Sequence, residues 1–207
     1  MQREIFTIFF TIFIVIDPLG LIPVFLALTS GQSRQERRNT IFKSVLTALF
    51  VLALFILFGR NILSFLGILP GSFFIAGGIL LFITSLDLLL GHRQRTKISE
   101  IVQEKDDVSI FPLGIPILAG PGTITTILLF VSESKDRFFV EGVLFGSVIV
   151  TLLTAVLTMF LSGIFLKIFR QTGVSIIQRL MGIILSGLAV QFIYEGFIKL
   201  KIIAPFT

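Results

Sequence analysis

The 207-residue sequence contains no cysteine and no tryptophan, and only one tyrosine and one histidine. Without thiols there is no disulfide, no thiolate nucleophile and no Cys-ligated metal, and His92 alone cannot build a histidine zinc site. Trp and Tyr normally form the interfacial belt of a bilayer protein; their near absence leaves Lys and Arg to anchor it by snorkelling. Charge is scarce as well. Charged residues make up 14% of the chain against 55% hydrophobic, and the mean hydropathy of +1.03 excludes an ordinary soluble domain. The formal net charge of +5 falls in short clusters between long apolar runs. Bilayer proteins keep their charge in this way, so the lipid bilayer is the expected partner and nucleic acid is not.

What is present is apolar length. At about 20 residues per crossing, six stretches qualify as membrane segments: residues 5–29, 41–58, 73–90, 110–131, 138–166 and 176–198. The expected fold class is an all-α polytopic membrane protein. Arg3 before an apolar run resembles a signal peptide, but the run continues past Asp17 and Pro18 without a small-residue cleavage site, so the first segment is read as a span. The longest polar stretch, 91–109, mixes Arg93, Arg95, Lys97 and Lys105 with Glu100, Glu104, Asp106 and Asp107. It reads as a charged cytoplasmic connector between a first three-segment repeat, 1–90, and a second, 110–207. With six full spans, one side carries eleven Lys and Arg and the other six. The positive-inside rule then puts both termini outside, in a bacterial inner membrane.

The halves match in order. Asp17-Pro18-Leu19-Gly20 interrupts segment 1, and the third segment opens Ala76-Gly77-Gly78; Gly120-Pro121-Gly122-Thr123 interrupts segment 4, and the sixth holds Leu180-Met181-Gly182. Three spans per unit is an odd number, so the units are expected as inverted repeats. Both interruptions fall at the middle of their segments. Proline removes an amide hydrogen and disfavours helical angles in the residue before it, so each segment is expected to unwind there and restart. The alternative is that segments 1 and 4 are re-entrant hairpins with flanking halves of about 12 and 10 residues. The termini would then lie inside.

Paired breaks at the midplane suggest a polar nest. Restarted helices present unpaired N–H groups and positive dipole ends to an anion, and the helices that end before the breaks present carbonyls to a cation. Together they suit a small zwitterionic solute. The candidate substrate-binding residues are Asp17, Pro18, Gly20, Gly120, Pro121, Gly122 and Thr123. Asp17, Asp87 and Gln191 are the candidates for a coupling proton or sodium ion, and no other cofactor is implied. The plainer reading of Asp17-Pro18 is an N-cap followed by Pro at N1. Asp87 lies three residues from the end of its span, which also suits an interfacial carboxylate. Ser147, Thr151, Thr154, Thr158 and Ser162 share one helix face and read first as a close-packing stripe.

Ile16-Asp17-Pro18-Leu19-Gly20-Leu21-Ile22-Pro23 and Phe111-Pro112-Leu113-Gly114-Ile115-Pro116-Ile117-Leu118-Ala119-Gly120-Pro121-Gly122-Thr123 closely resemble the paired signature of the MarC family. Ala76-Gly77-Gly78, Arg179-Leu180-Met181-Gly182 and Gln191-Phe192 are similar to its other recurrent stretches. The resemblance implies a small inner-membrane protein of six predicted spans, some of whose relatives are described as neutral amino-acid transporters. Leu21 departs from the Asn frequent at that place, which removes one polar contact. The expected function is a secondary transporter or exporter of small neutral amino acids working by alternating access. A non-transporting structural or regulatory membrane protein is the alternative, and a homo-oligomer is compatible with either. A two-aspartate hydrolase is disfavoured, because Asp17 is central in its segment and Asp87 peripheral.

Overall fold

The computed structural model describes residues 2–90, 108–134 and 136–204. The charged connector, with His92, falls almost entirely outside them. In a bilayer every backbone polar group must be satisfied within the protein, which imposes helix even on Ile- and Phe-rich sequence. The first such run forms α1 (Gln2–Ile16) and, after a turn, α2 (Leu21–Leu28). Together they make one 27-residue crossing, Gln2–Leu28.

Helix α3 (Arg34–Phe65) begins with a capping box, Ser33 Oγ accepting from Glu36 N and Glu36 Oε2 from Ser33 N. Its 32 residues span about 48 Å, well over the roughly 30 Å hydrocarbon layer, so its Arg-rich first turns stand in the headgroup region. There Arg37 donates to Thr29 O at the end of α2, and its guanidinium lies 6.0 Å from the centre of the Phe25 ring. Helix α4 (Pro70–Leu90) starts with Pro at its first position, after a turn in which Gly67 has φ +64°.

The fourth segment is irregular. In α5 (Ser109–Leu118), Phe111 and Ile115 are extended, as residues before proline are, and two wide turns close through Leu113 N to Val108 O and Ala119 N to Gly114 O. Helix α6 (Pro121–Glu133) follows at a bend of 49°. The pair advances along α3: Gly114 approaches Thr47, and Gly122-to-Leu129 sequence further on brings Leu128 against Gly59. Twelve residues of α3 are about 18 Å. A hairpin returning to its entry side would not make that progress.

Helical structure then runs unbroken through α7 (Arg137–Lys199), yet α7 folds back on itself. Thr158 donates to Pro18 O and Gln178 to Gly20 O. Those carbonyls are at most about 7 Å apart, whereas twenty residues of straight helix cover about 30 Å. The arms Arg137–Phe165 and Thr172–Lys199 are each long and apolar enough to cross. In all, the described residues supply five candidate crossings, or six with α5 and α6 taken as one.

The tightest packing joins α4 to the second arm of α7. A Cβ on Gly71 would fall 3.0 Å from Gly196 O, one on Gly78 2.7 Å from Ala189 O, and one on Gly182 3.1 Å from Ser85 O. Small residues therefore face each other every seven positions along an antiparallel seam, a spacing that lets backbones approach. A larger apolar core is shared by α1, α2, α3, α5, α6 and the first arm of α7, and a smaller one around Phe74, Leu81, Leu129 and Phe192. Large apolar side chains such as Phe50, Leu153 and Ile183 point outward, as a lipid-facing surface requires.

Candidate functional site

At the first break Asp17 joins two helices. It takes φ +47°, its N–H donates to Phe13 O to finish α1, and its carbonyl accepts from Leu21 N to begin α2. Its side chain closes the turn, with Oδ1 accepting from Gly20 N at 3.1 Å. The N-cap expected of an Asp-Pro pair is not formed: Asp17 is left-handed rather than extended, Pro18, Leu19 and Gly20 make a turn, and α2 starts at Leu21 after Gly20, with no side-chain cap.

The carbonyls that this turn releases are held by α7. Thr158 Oγ1 reaches Pro18 O at 2.9 Å and Gln178 Nε2 reaches Gly20 O at 3.3 Å. Both close the accounting that lipid demands of a broken helix. One atom stays outside it. Asp17 is only 9% exposed, and its Oδ2 is buried with no hydrogen-bond partner. Gly20 is tied to this carboxylate sterically, since a Cβ there would collide with Oδ2.

At the second break Gly120 is extended and caps α6, whose first residue is Pro121. The restart predicted near Pro121 is found there. Gly120, Gly122 and Thr123 are buried, whereas Pro121 is exposed. Thr125 and Thr126 turn their hydroxyls back onto Pro121 O and Gly122 O, the usual habit of threonine in a helix.

A Cβ on Gly122 would lie 2.6 Å from Leu81 Cδ2 and 3.6 Å from Val15 Cγ1, and Val15 is two residues before Asp17. The start of α6 thus packs beside the end of α1 next to the first break, with apolar side chains between them. Neither α2 nor α6 has a side-chain cap, but the turn before α2 already holds the Asp17 carboxylate through Gly20 N.

The other sequence candidates lie apart. Asp87 is partly exposed near the end of α4. Gln191 is exposed and donates to Glu195 at 2.9 Å. Of the hydroxyl stripe, Ser147, Thr151, Thr158 and Ser162 are buried, Thr151 without a hydrogen-bond partner, and Thr154 bonds its own helix at Val150 O. Gln178 is the residue that sequence reasoning missed; followed directly by Arg179, it offers little to mark it out from a polar helix end.

If Thr158 holds the unwound turn, Thr158→Val should lower stability by about 1 kcal/mol. Thermal unfolding of the detergent-solubilised protein checks this, with Thr154→Val as the control expected to change little.

The family description "MarC family integral membrane protein" matches residues 2–201. This chain belongs to the MarC family. It is 38% identical over 194 residues to a UPF0056 membrane protein of Methanocaldococcus jannaschii, covering 91% of this chain and 93% of that one. It is also similar to UPF0056 membrane proteins of Archaeoglobus fulgidus (33% identical; 92% and 91% covered) and Aquifex aeolicus (32%; 91% and 89%). No solved structure matches the chain. Family membership makes it a multi-pass membrane protein of the bacterial and archaeal type.

Proposed function

We propose that this MarC-family protein is a secondary transporter or exporter of small neutral amino acids in the cytoplasmic membrane. Six crossings form two inverted three-segment units, with both termini outside, and alternating access takes place around the paired breaks. The observation that carries this reading is the approach of Gly122 to Val15, which packs the start of α6 beside the end of α1, next to the first break. The seam between α4 and α7 supports the inverted arrangement. Laying Gly78 on Gly182 turns the contact between Gly78 and Ala189 into that between Ser85 and Gly182, as a two-fold axis in the membrane plane would.

The two breaks then divide the work. The amides opening α6, beside Gly120, Pro121, Gly122 and Thr123, take the solute's carboxylate, since no side chain caps that end. Asp17 with Pro18 and Gly20 faces the ammonium group or the coupling proton or sodium ion. Asp87, partly exposed near the end of α4, and Gln191, bonded to Glu195, are the other candidates for the coupling ion.

Purified protein in liposomes tests the proposal. Labelled alanine, serine or glycine should accumulate under an imposed proton or sodium gradient, and uptake equal to that of empty liposomes would overturn it. Gly122→Leu should abolish solute binding while leaving the protein inserted, because its side chain extends toward Val15 and the first break. A titration showing unaltered affinity would remove Gly122 from the pocket. One observation favours a non-transporting packing role: Gly122 contacts Leu81, and Gly77 is filled by Thr125. Inert liposomes together with unaltered folding of the break variants would support that second reading.

A further inference from the structure

We propose that a cleft at the end of α7, remote from the breaks, binds the phosphate of an anionic phospholipid. The cleft encloses about 540 Å³ where the turn between α3 and α4, the end of α6 at Ser132 and the end of α7 converge. Ends of membrane-crossing elements lie at the level of lipid headgroups, so this is where a headgroup is available. The volume falls within the range of small-molecule sites.

Its lining is cationic. Lys199 and Lys201 both contribute, and no Asp or Glu is among the described lining residues. The Lys199 ammonium stands 4.9 Å from the centre of the Phe74 ring, which sets it at one wall of the cleft. Gly71, in the first turn of α4, adds a positive helix end to the same cleft.

Lys201 supplies an independent argument. Helix α7 ends with Lys201 N donating to Ile198 O and Ile202 N to Phe197 O, the pattern of a Schellman motif. The residue closing such a motif is left-handed and usually glycine, yet here it is a lysine at φ +58°. A position that glycine fills without strain instead presents a cation to the cleft.

The rim distinguishes a lipid from a free anion. Leu69 lines the cleft and is 61% exposed, and Ile202, directly after Lys201, is equally exposed. Phe65, at the end of α3, is 90% exposed. An anion arriving from water has no use for such a rim, whereas acyl chains cover it once the phosphate is seated. Two lysines and no acid among the described lining residues favour a headgroup with net negative charge over a zwitterionic one.

The test uses the full-length protein in mild detergent, titrated separately with phosphatidylglycerol, phosphatidylcholine and inorganic phosphate. Thermal stability and native mass spectrometry are the readouts. Phosphatidylglycerol is expected to raise the melting temperature saturably and to remain bound in the gas phase, the other two to do neither. Lys199→Ala/Lys201→Ala should weaken the phosphatidylglycerol effect about tenfold or more. Lys201→Ala alone, at an exposed position, should weaken it without changing the lipid-free melting temperature. Equal effects of phosphatidylcholine, a saturable effect of inorganic phosphate alone, or full phosphatidylglycerol binding by the double variant would each overturn the proposal. Amino-acid uptake plays no part in these readouts.

Discussion

Gly78→Leu is expected to abolish recovery of folded protein from the membrane, the largest effect of any single substitution considered for this chain. A Cβ at residue 78 would lie 2.7 Å from Ala189 O and 3.0 Å from Ile193 N, both backbone atoms of an opposing helix. Side chains can rotate away from an intruder, but a helix backbone moves only as a whole. Overpacking typically costs about 1–3 kcal/mol when neighbours adjust, and here the adjustment means parting α4 from α7. Gly146 provides the contrast, with nothing within 4 Å of its hypothetical Cβ. Gly146→Leu should therefore fold normally. Fluorescence-detected size exclusion after heating compares the two, and equal melting curves would dismiss the seam as a determinant of stability.

Asp17→Asn is expected to separate stability from function. The buried Oδ2 has no partner, so an amide at that place removes a buried unpaired negative charge in exchange for a neutral NH2, while Oδ1 can still accept from Gly20 N. The variant should melt at least as high as the original protein, by roughly 2–4 °C for each kcal/mol gained. Transport, by contrast, should lose its dependence on the ion or proton gradient, in keeping with the functional weight of an intramembrane carboxylate. Gradient-driven uptake in liposomes alongside thermal unfolding reads both quantities. Wild-type coupling in Asp17→Asn would leave the carboxylate with its turn-closing role alone.

Much of this architecture is legible in the sequence because bilayers impose simple rules. Apolar length marks the crossings, and the Pro and Gly clusters mark both interruptions to within a few residues. The Asp-Pro order suggests an N-cap, but Asp17 closes a turn through Gly20 N and α2 begins only at Leu21. What the sequence conceals is partnership across the chain. Nothing local to Gln178 says that its amide will meet Gly20 O, 158 residues away. Prolines 112 and 116 announce irregularity, but the two wide turns of α5 depend on which carbonyls remain within reach. The start of α3 also differs from its apolar limits: residues 41–58 read as the span, whereas the Ser33 and Glu36 capping box extends the helix through a charged stretch to Arg34. Hydropathy reports the lipid contact of a helix, and hydrogen bonds decide its length.

The seam of Gly71, Gly78 and Ser85 against Gly196, Ala189 and Gly182 joins the first half of the chain to the second. Whole-body sliding of one half past the other would drag Phe and Leu side chains across those bare backbones. Swivelling about the seam asks much less, since the small residues lie near the pivot line and barely change their separation. Helices α1 and α2 sit in the larger core and are tied to α7 by Thr158 and Gln178, so they go with that arm when the seam turns.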